Sequence, residues 1–277
     1  MRKLWSASPL TYFALILACL VSVTPFYFMF IVATRKLEVI NAVPPPITPG
    51  GDFGENFGRV LDNEHAGFLL GLGNSIIVSS IVTVCLVFFS SIAGFAFAKL
   101  RFRGKNALLL IIITTMMIPT QLGIIPLYDM MVNFFHLDAT LPAVILPFLV
   151  TGFGVFMMRQ YAASAVSDEL IEAARVDGCT TFRIYWSVVL PALRPAMGVL
   201  GLLTFMEQWN SFLWPYTILT ADTPTVQVSL ALLASAYYTD YAQVFAATAV
   251  ATIPLLVVFA LFGRQIIGGI MEGAVKA

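Results

Sequence analysis

Glu207 is the residue most out of place in its surroundings. It sits in Met206-Glu207-Gln208-Trp209-Asn210-Ser211-Phe212-Leu213-Trp214-Pro215, the one charge in an otherwise apolar run from Pro195 to Ala221. A carboxyl group at the centre of a bilayer costs about 2.5–3.5 kcal/mol even on the lenient insertion scale, so it should face other helices or an aqueous cavity. Glu207, Asn210 and Trp214 are spaced three and four apart, which puts them on one face of a helix. An acid, an amide and an indole on one stripe suit the lining of a polar solute path. They suit equally well a packed helix interface, where each hydrogen bond contributes about 0.6 kcal/mol.

A second constellation lies in the polar stretch from Arg159 to Pro195. Ser167-Asp168-Glu169-Leu170-Ile171-Glu172-Ala173-Ala174-Arg175-Val176-Asp177-Gly178 reads as a short helix with an elbow. Ser167 is a good N-cap, and Asp168 and Glu169 place negative charge on the positive end of the helix. Gly178 suits the left-handed residue that ends it. Thr180 or Thr181 can cap a second helix, which Pro191 is expected to close. Glu172 beside the small Ala173 and Ala174, followed by a sharp turn, makes a compact plug that another surface can approach closely. As a plain solvated helix face the segment would need no partner.

Other chemistry is poorly supported. Gly104-Lys105-Asn106 lacks the upstream glycine and the following Ser or Thr of a phosphate-binding loop. His65 and His136 stand alone, and Cys19, Cys85 and Cys179 have neither metal-type nor paired spacing. No Ser-His-Asp arrangement can be assembled from these residues. The reading is therefore of a protein that is not an enzyme, with no metal and no cofactor of its own.

The elements that position these residues follow from composition. Of 277 residues, 59% are hydrophobic and only 11% charged, against about a quarter charged in a soluble domain. Six runs are almost free of charge, predicting spans at about 10–34, 72–98, 106–128, 139–158, 196–219 and 242–263, with a cytoplasmic loop at 159–195. Each run is long enough to cross a bilayer as a helix, the form in which backbone groups are satisfied internally. The fold class is thus an all-α polytopic membrane protein, a single transmembrane domain over residues 1–277. The first run follows Arg2 and Lys3 but is too long, and lacks the small-residue site, for a cleaved signal peptide. With both termini cytoplasmic, twelve Lys and Arg residues lie inside and three (Arg35, Lys36 and Arg59) outside, as the positive-inside rule asks. Net charge is zero, so neither nucleic acid nor another strongly charged partner is implied. Tyr237, Tyr238 and Tyr241 in the last outer loop suit an interfacial aromatic belt or contact with an external partner.

The plug closely resembles the signature loop of permease subunits of ATP-driven (ABC) importers: Glu-Ala-Ala, three residues, Gly, nine residues, Ile, one residue, Leu-Pro. Glu172-Ala173-Ala174, Gly178 and Leu190-Pro191 match, with Val188 in the Ile position. Met117-Ile118-Pro119 through Tyr128 looks like the third span of carbohydrate-importer permeases. Trp209-Asn210 and Phe212-Leu213-Trp214-Pro215 look like the fifth, and Gly268 to Lys276 like the tail of the six-span, maltose-type permease. The resemblance implies a subunit of the bacterial cytoplasmic membrane that forms half of a sugar pore. It implies a second, non-identical permease, an extracytoplasmic sugar-binding protein, and cytoplasmic ATPases that bind the ATP and grip the loop. Glu172, Ala173, Ala174, Asp177, Gly178, Leu190 and Pro191 would then carry the coupling, and the tail after Arg264 could also reach the ATPases. Two other readings compete: an ion-driven secondary transporter, disfavoured by the lack of an evident repeat, and a membrane scaffold that transports nothing.

Overall fold

The computed structural model describes residues 8–235 and 239–275, with residues 264–275 described by backbone alone. Tyr237 and Tyr238 lie outside the described residues, and no side chain of the tail after Arg264 is described. Among the described residues every regular element is helical. Five helices are long and apolar enough to cross a membrane, and six spans result if one sharply bent pair counts as a single crossing. The chain forms two compact units, residues 1–68 with 230–252 and residues 69–229 with 253–277.

In the first unit, α1 (Pro9–Ala33) starts where Ser8 accepts from the Thr11 N–H and Pro9 occupies the first turn, a position where a missing N–H costs nothing. Most of its side chains are exposed and apolar, as suits a span surrounded by lipid. Two short helices, α2 (Leu37–Ile40) and α3 (Phe53–Leu61), follow in the long loop. Buried Asn56 donates to the carbonyls of Ala33 and Arg35 at 2.8 and 2.9 Å, tying α3 to the end of α1. Arg59 pairs with Asp240, and Gln243 donates to the Arg59 carbonyl, which fixes the same helix to the start of the last span.

The second unit holds both candidate sites. It begins in α4 (Phe68–Lys99). Gly94 of α4 and Gly154 of α8 (Gly152–Ala165) let these helices meet closely. A Cβ on Gly94 would come within 2.6 Å of the Met158 side chain, and one on Gly154 within 2.4 Å of Ser90 Oγ. α9 (Asp168–Val176) and α10 (Thr181–Ile184) follow, and then α11 (Leu190–Trp209). Buried Phe95, Met158, Ile171, Tyr185, Leu193 and Leu200 join α4, α8, α9 and α11 in one core. Ser91 and Tyr185 share a buried hydroxyl–hydroxyl hydrogen bond of 2.7 Å across it.

Three expected boundaries change. The third span is not one rod: α5 (Lys105–Thr115) and the helical stretch Thr120–Phe134, which contains α6 (Ile124–Asp129), meet at 93°. Pro119 at the break lacks the N–H to continue the ladder and bars the preceding residue from helix. The helix also carries on through Phe134 rather than ending at Tyr128. The fourth span starts with α7 (Leu141–Ile145) and reaches Ala165, seven residues beyond the expected end. The fifth begins at Thr181 and ends at Trp209, and α12 (Leu213–Ile218) follows only after a break at Asn210–Phe212. The polar segment is therefore shorter than 159–195. Pro191 does not close a helix either. A π-turn over Tyr185–Val189, closed by the Leu190 N–H on the Tyr185 carbonyl, widens the ladder just before the proline and accommodates its ring. α13 (Val226–Ala234) and α14 (Tyr241–Val275) complete the chain.

Candidate coupling segment and solute cavity

The polar plug is a short helix with both ends secured. At its start the Ser167 backbone is extended, as an N-cap requires, but its hydroxyl serves the Glu169 carboxylate rather than a helix N–H. The Glu169 carboxyl is held below its ordinary range first by its own backbone N–H and then by that hydroxyl. Lys99, at the last turn of α4, donates Nζ to Asp168 Oδ1 at 2.8 Å. The Lys99 side chain is only 9% exposed, so the strut is fixed at one end and its charge is delivered to the surface. That hydrogen bond and the lysine charge hold the Asp168 carboxyl below its usual range.

At its end α9 closes with a Schellman motif. The Gly178 N–H bonds to the Arg175 carbonyl at 3.0 Å and the Cys179 N–H to the Ala174 carbonyl at 2.9 Å. Gly178 has φ +77° with open space where a Cβ would stand, so backbone conformation alone demands glycine there. Asp177 is the C-cap. Thr180 then caps the next helix, accepting from the Arg183 N–H at 3.3 Å.

One side of α9 is anchored and the other is bare. Ile171 is buried in the core and Ala174 packs against it. Glu172 and Ala173 are exposed, as are Leu170, Val176 at 88% and Phe182 at 68%. Glu172 also lines a cavity of about 690 Å³ with Lys99, Arg101, Lys105, Asp168 and Arg175. Four cations thus surround the single glutamate and aspartate of this cleft. Leu190 packs on the same core as Ile171, whereas Pro191 is exposed on α11. The residues matching the signature loop are therefore split between α9 with its elbow and the start of α11. Lys99, the partner of Asp168, was not anticipated. A lysine at the end of a span reads as topology signal, and nothing local pairs it with a residue 69 positions later.

The solute-path trio is also rearranged. α11 ends at Trp209, with Asn210 as its C-cap. Glu207, Asn210 and Trp214 are therefore not one helical stripe. The Asn210 side chain turns back to donate to the Met206 carbonyl at 2.8 Å. Trp214 is buried on α12 and donates Nε1 to the Ala143 carbonyl at 3.2 Å. Glu207 and Trp214 nonetheless line one cavity, of about 530 Å³, from which Asn210 is absent. The other walls are Gln208, Ser211 and Phe212, with Thr120 and Gln121 from just after the break in the third span and Phe148 from the fourth. Thr120 and Gln121 escaped sequence reasoning because an unbroken span would have carried them past this point.

This architecture has known counterparts. The chain belongs to the family of binding-protein-dependent transport system inner membrane components, whose family model matches residues 87–268. It is therefore a multi-pass membrane subunit of such a system. It is similar to the arabinooligosaccharides transport system permease protein AraQ of Halalkalibacterium halodurans, 36% identical over 205 residues, 74% of this chain and 73% of the relative. The lactose transport system permease protein LacG of Rhizobium radiobacter is 32% identical over 272 residues, 96% of this chain and 95% of the relative. The sn-glycerol-3-phosphate transport system permease protein UgpE of Yersinia enterocolitica is 29% identical over 266 residues, covering 93% of this chain and 94% of the relative. A crystal structure of a bacterial ABC transporter involved in the import of the acidic polysaccharide alginate shares the fold. It superposes with a TM-score of 0.78 at 22% identity, over 94% of this chain and 98% of that one.

Proposed function

We propose that the chain forms half of the translocation pore of an ATP-driven carbohydrate importer and receives its driving force through α9. The observation that carries this reading is the two-sidedness of the plug. Ile171 and the Lys99–Asp168 strut hold it to the span bundle, while Leu170, Ala173, Val176 and Phe182 face outward uncovered. Covering a side chain such as Leu170, Val176 or Phe182 contributes about 1.5–3 kcal/mol, enough in sum to seat the plug in a groove of a soluble subunit.

The names of the arabinooligosaccharide and lactose permeases support carbohydrate as the cargo, and the shared fold with a bacterial ABC transporter supports ATP as the energy source. In this scheme both termini and α9 are cytoplasmic, ATPase subunits bind the ATP and grip α9, and a second, non-identical permease completes the pore. An extracytoplasmic binding protein delivers the sugar. Glu172, Ala173, Ala174, Asp177 and Gly178 form the docking elbow, Leu190 and Pro191 the foot of the driven span, and Glu207 and Trp214 part of the pore wall. ATP can bias the pore only by favouring one of its states over another through the grip on α9.

The test is cross-linking in membranes of the complete complex. Cysteine at Ala173 is expected to capture an ATP-hydrolysing subunit, with a yield that changes when nucleotide is trapped. Sugar entry through the protein with no such capture would overturn the reading.

A further inference from the structure

We infer that the cavity walled by Glu207 is a charge filter: it accepts neutral, hydroxyl-rich carbohydrate and rejects anionic solutes such as sugar acids and sugar phosphates. The inference rests on the importer reading above and narrows its cargo. Family membership leaves the charge of the solute open, because the relatives named above serve neutral and anionic cargo alike.

The lining decides it. Gln121, Gln208 and Ser211 offer both donors and acceptors, the combination that a sugar hydroxyl, itself donor and acceptor, can satisfy. Neither Glu207 nor Gln208 has a side-chain hydrogen-bond partner among the described residues, so both remain available to a solute. Trp214 has its indole N–H engaged by Ala143, which leaves its ring as wall surface. With Phe212 it supplies apolar area for the C–H faces of a sugar ring. Among the described residues lining the cavity, Glu207 is the sole charged group. No lysine, arginine or histidine is there to pair with a carboxylate or phosphate, and an anion entering would meet a like charge in a cleft with low-dielectric walls, where fields are focused. The cation-rich surfaces of this unit lie instead around α9, at the other cavity.

The experiment uses the complete transporter with Cys19, Cys85 and Cys179 replaced by serine and Gln121→Cys as reporter. Ser211→Cys serves as a second reporter should the first fail to assemble. Cationic and anionic methanethiosulfonate reagents of similar size are compared. The cationic reagent is expected to react roughly tenfold or more faster, after correction for the same pair on a free thiol. Glu207→Gln should bring the corrected ratio close to one. In parallel, vesicles holding the native complex are offered lactose, cellobiose, an oligouronate and glycerol 3-phosphate, with import expected among the neutral sugars only. A corrected ratio near one in the native background, or one that Glu207→Gln leaves unchanged, overturns the charge filter while the importer reading stands. Import of an anionic solute as fast as a neutral one does the same. Failure to import any carbohydrate overturns the importer reading itself, and the filter with it.

Discussion

Lys99 Nζ lies 2.8 Å from Asp168 Oδ1, a bond from the end of the second span to the first residue of the plug helix. Its geometry gives a pH dependence with a definite sign. The Asp168 carboxyl is held below its ordinary value, chiefly by the Lys99 hydrogen bond and charge. A depressed carboxyl stabilises the folded arrangement at pH above the ordinary carboxyl range and loses that contribution as pH falls through the lowered value. At neutral pH the strut is intact. Lys99→Met is expected to raise the Asp168 titration midpoint and to speed hydrogen exchange in α9 at pH 7. Exchange as slow as in the native protein would show that Ile171 alone holds the helix.

Gly178 separates backbone strain from charge. An L-residue in the left-handed region costs about 1–2 kcal/mol, less for Asn or Asp, and the open space around Gly178 removes any steric contribution. Gly178→Val should therefore loosen the elbow more than Gly178→Asn. Gly178→Asp should uncouple ATP hydrolysis from uptake chiefly through the charge it brings to the docking face. The ratio of sugar imported to ATP hydrolysed, in vesicles, ranks the three. Equal coupling in all of them would remove the elbow from the docking site.

Ser91 and Tyr185 tie α4 to the start of the fifth span. Tyr185→Phe should lower stability in detergent by about 1 kcal/mol, the usual net contribution of one hydrogen bond. Ser91 keeps its second partner, the Phe88 carbonyl at 2.8 Å, so the loss should stay at that modest level. Ser91→Ala combined with Tyr185→Phe should cost less than the two single losses added together, because the pair shares one bond. Strict additivity would mean that the two hydroxyls act independently.

Trp214 distinguishes wall from ligand. Its N–H is engaged by the Ala143 carbonyl, so Trp214→Phe leaves a buried acceptor unmatched at a cost of about 1–3 kcal/mol. The variant should melt earlier while its transport KM stays close to native. A large rise in KM with unchanged melting would mean that the indole N–H is spent on the sugar and not on Ala143.

The sequence made the plug legible because its signals are local. A cap, two acids, a small-residue face and a glycine at the turn each act within one or two helical turns, and Gly178 adopts the φ that its position required. The candidate solute cavity was less legible because it depends on breaks. Three- and four-residue spacing makes a stripe only while the helix lasts, and α11 stops at Trp209, so Asn210 turned to its own backbone instead. Pro119 and Pro191 show how context divides one signal into two results. The first ends a helix, while the second sits in a continuing one because a π-turn precedes it. No count of prolines along the chain separates those outcomes, and the apolar runs alone set neither the bend in the third span nor the start of the fifth.

The helix from Thr181 to Trp209 spans 29 residues without a gap, roughly 43 Å at 1.5 Å per residue. Its first turn follows Gly178 within three residues and its last turn carries Glu207. In the proposed scheme a displacement of the plug reaches the cavity wall through this one helix, with the π-turn at Tyr185–Val189 as the point along it that can bend. If the chain works as proposed above, pore wall and motor mount are two ends of one rod, and the stiffness of that π-turn sets how much of the stroke arrives.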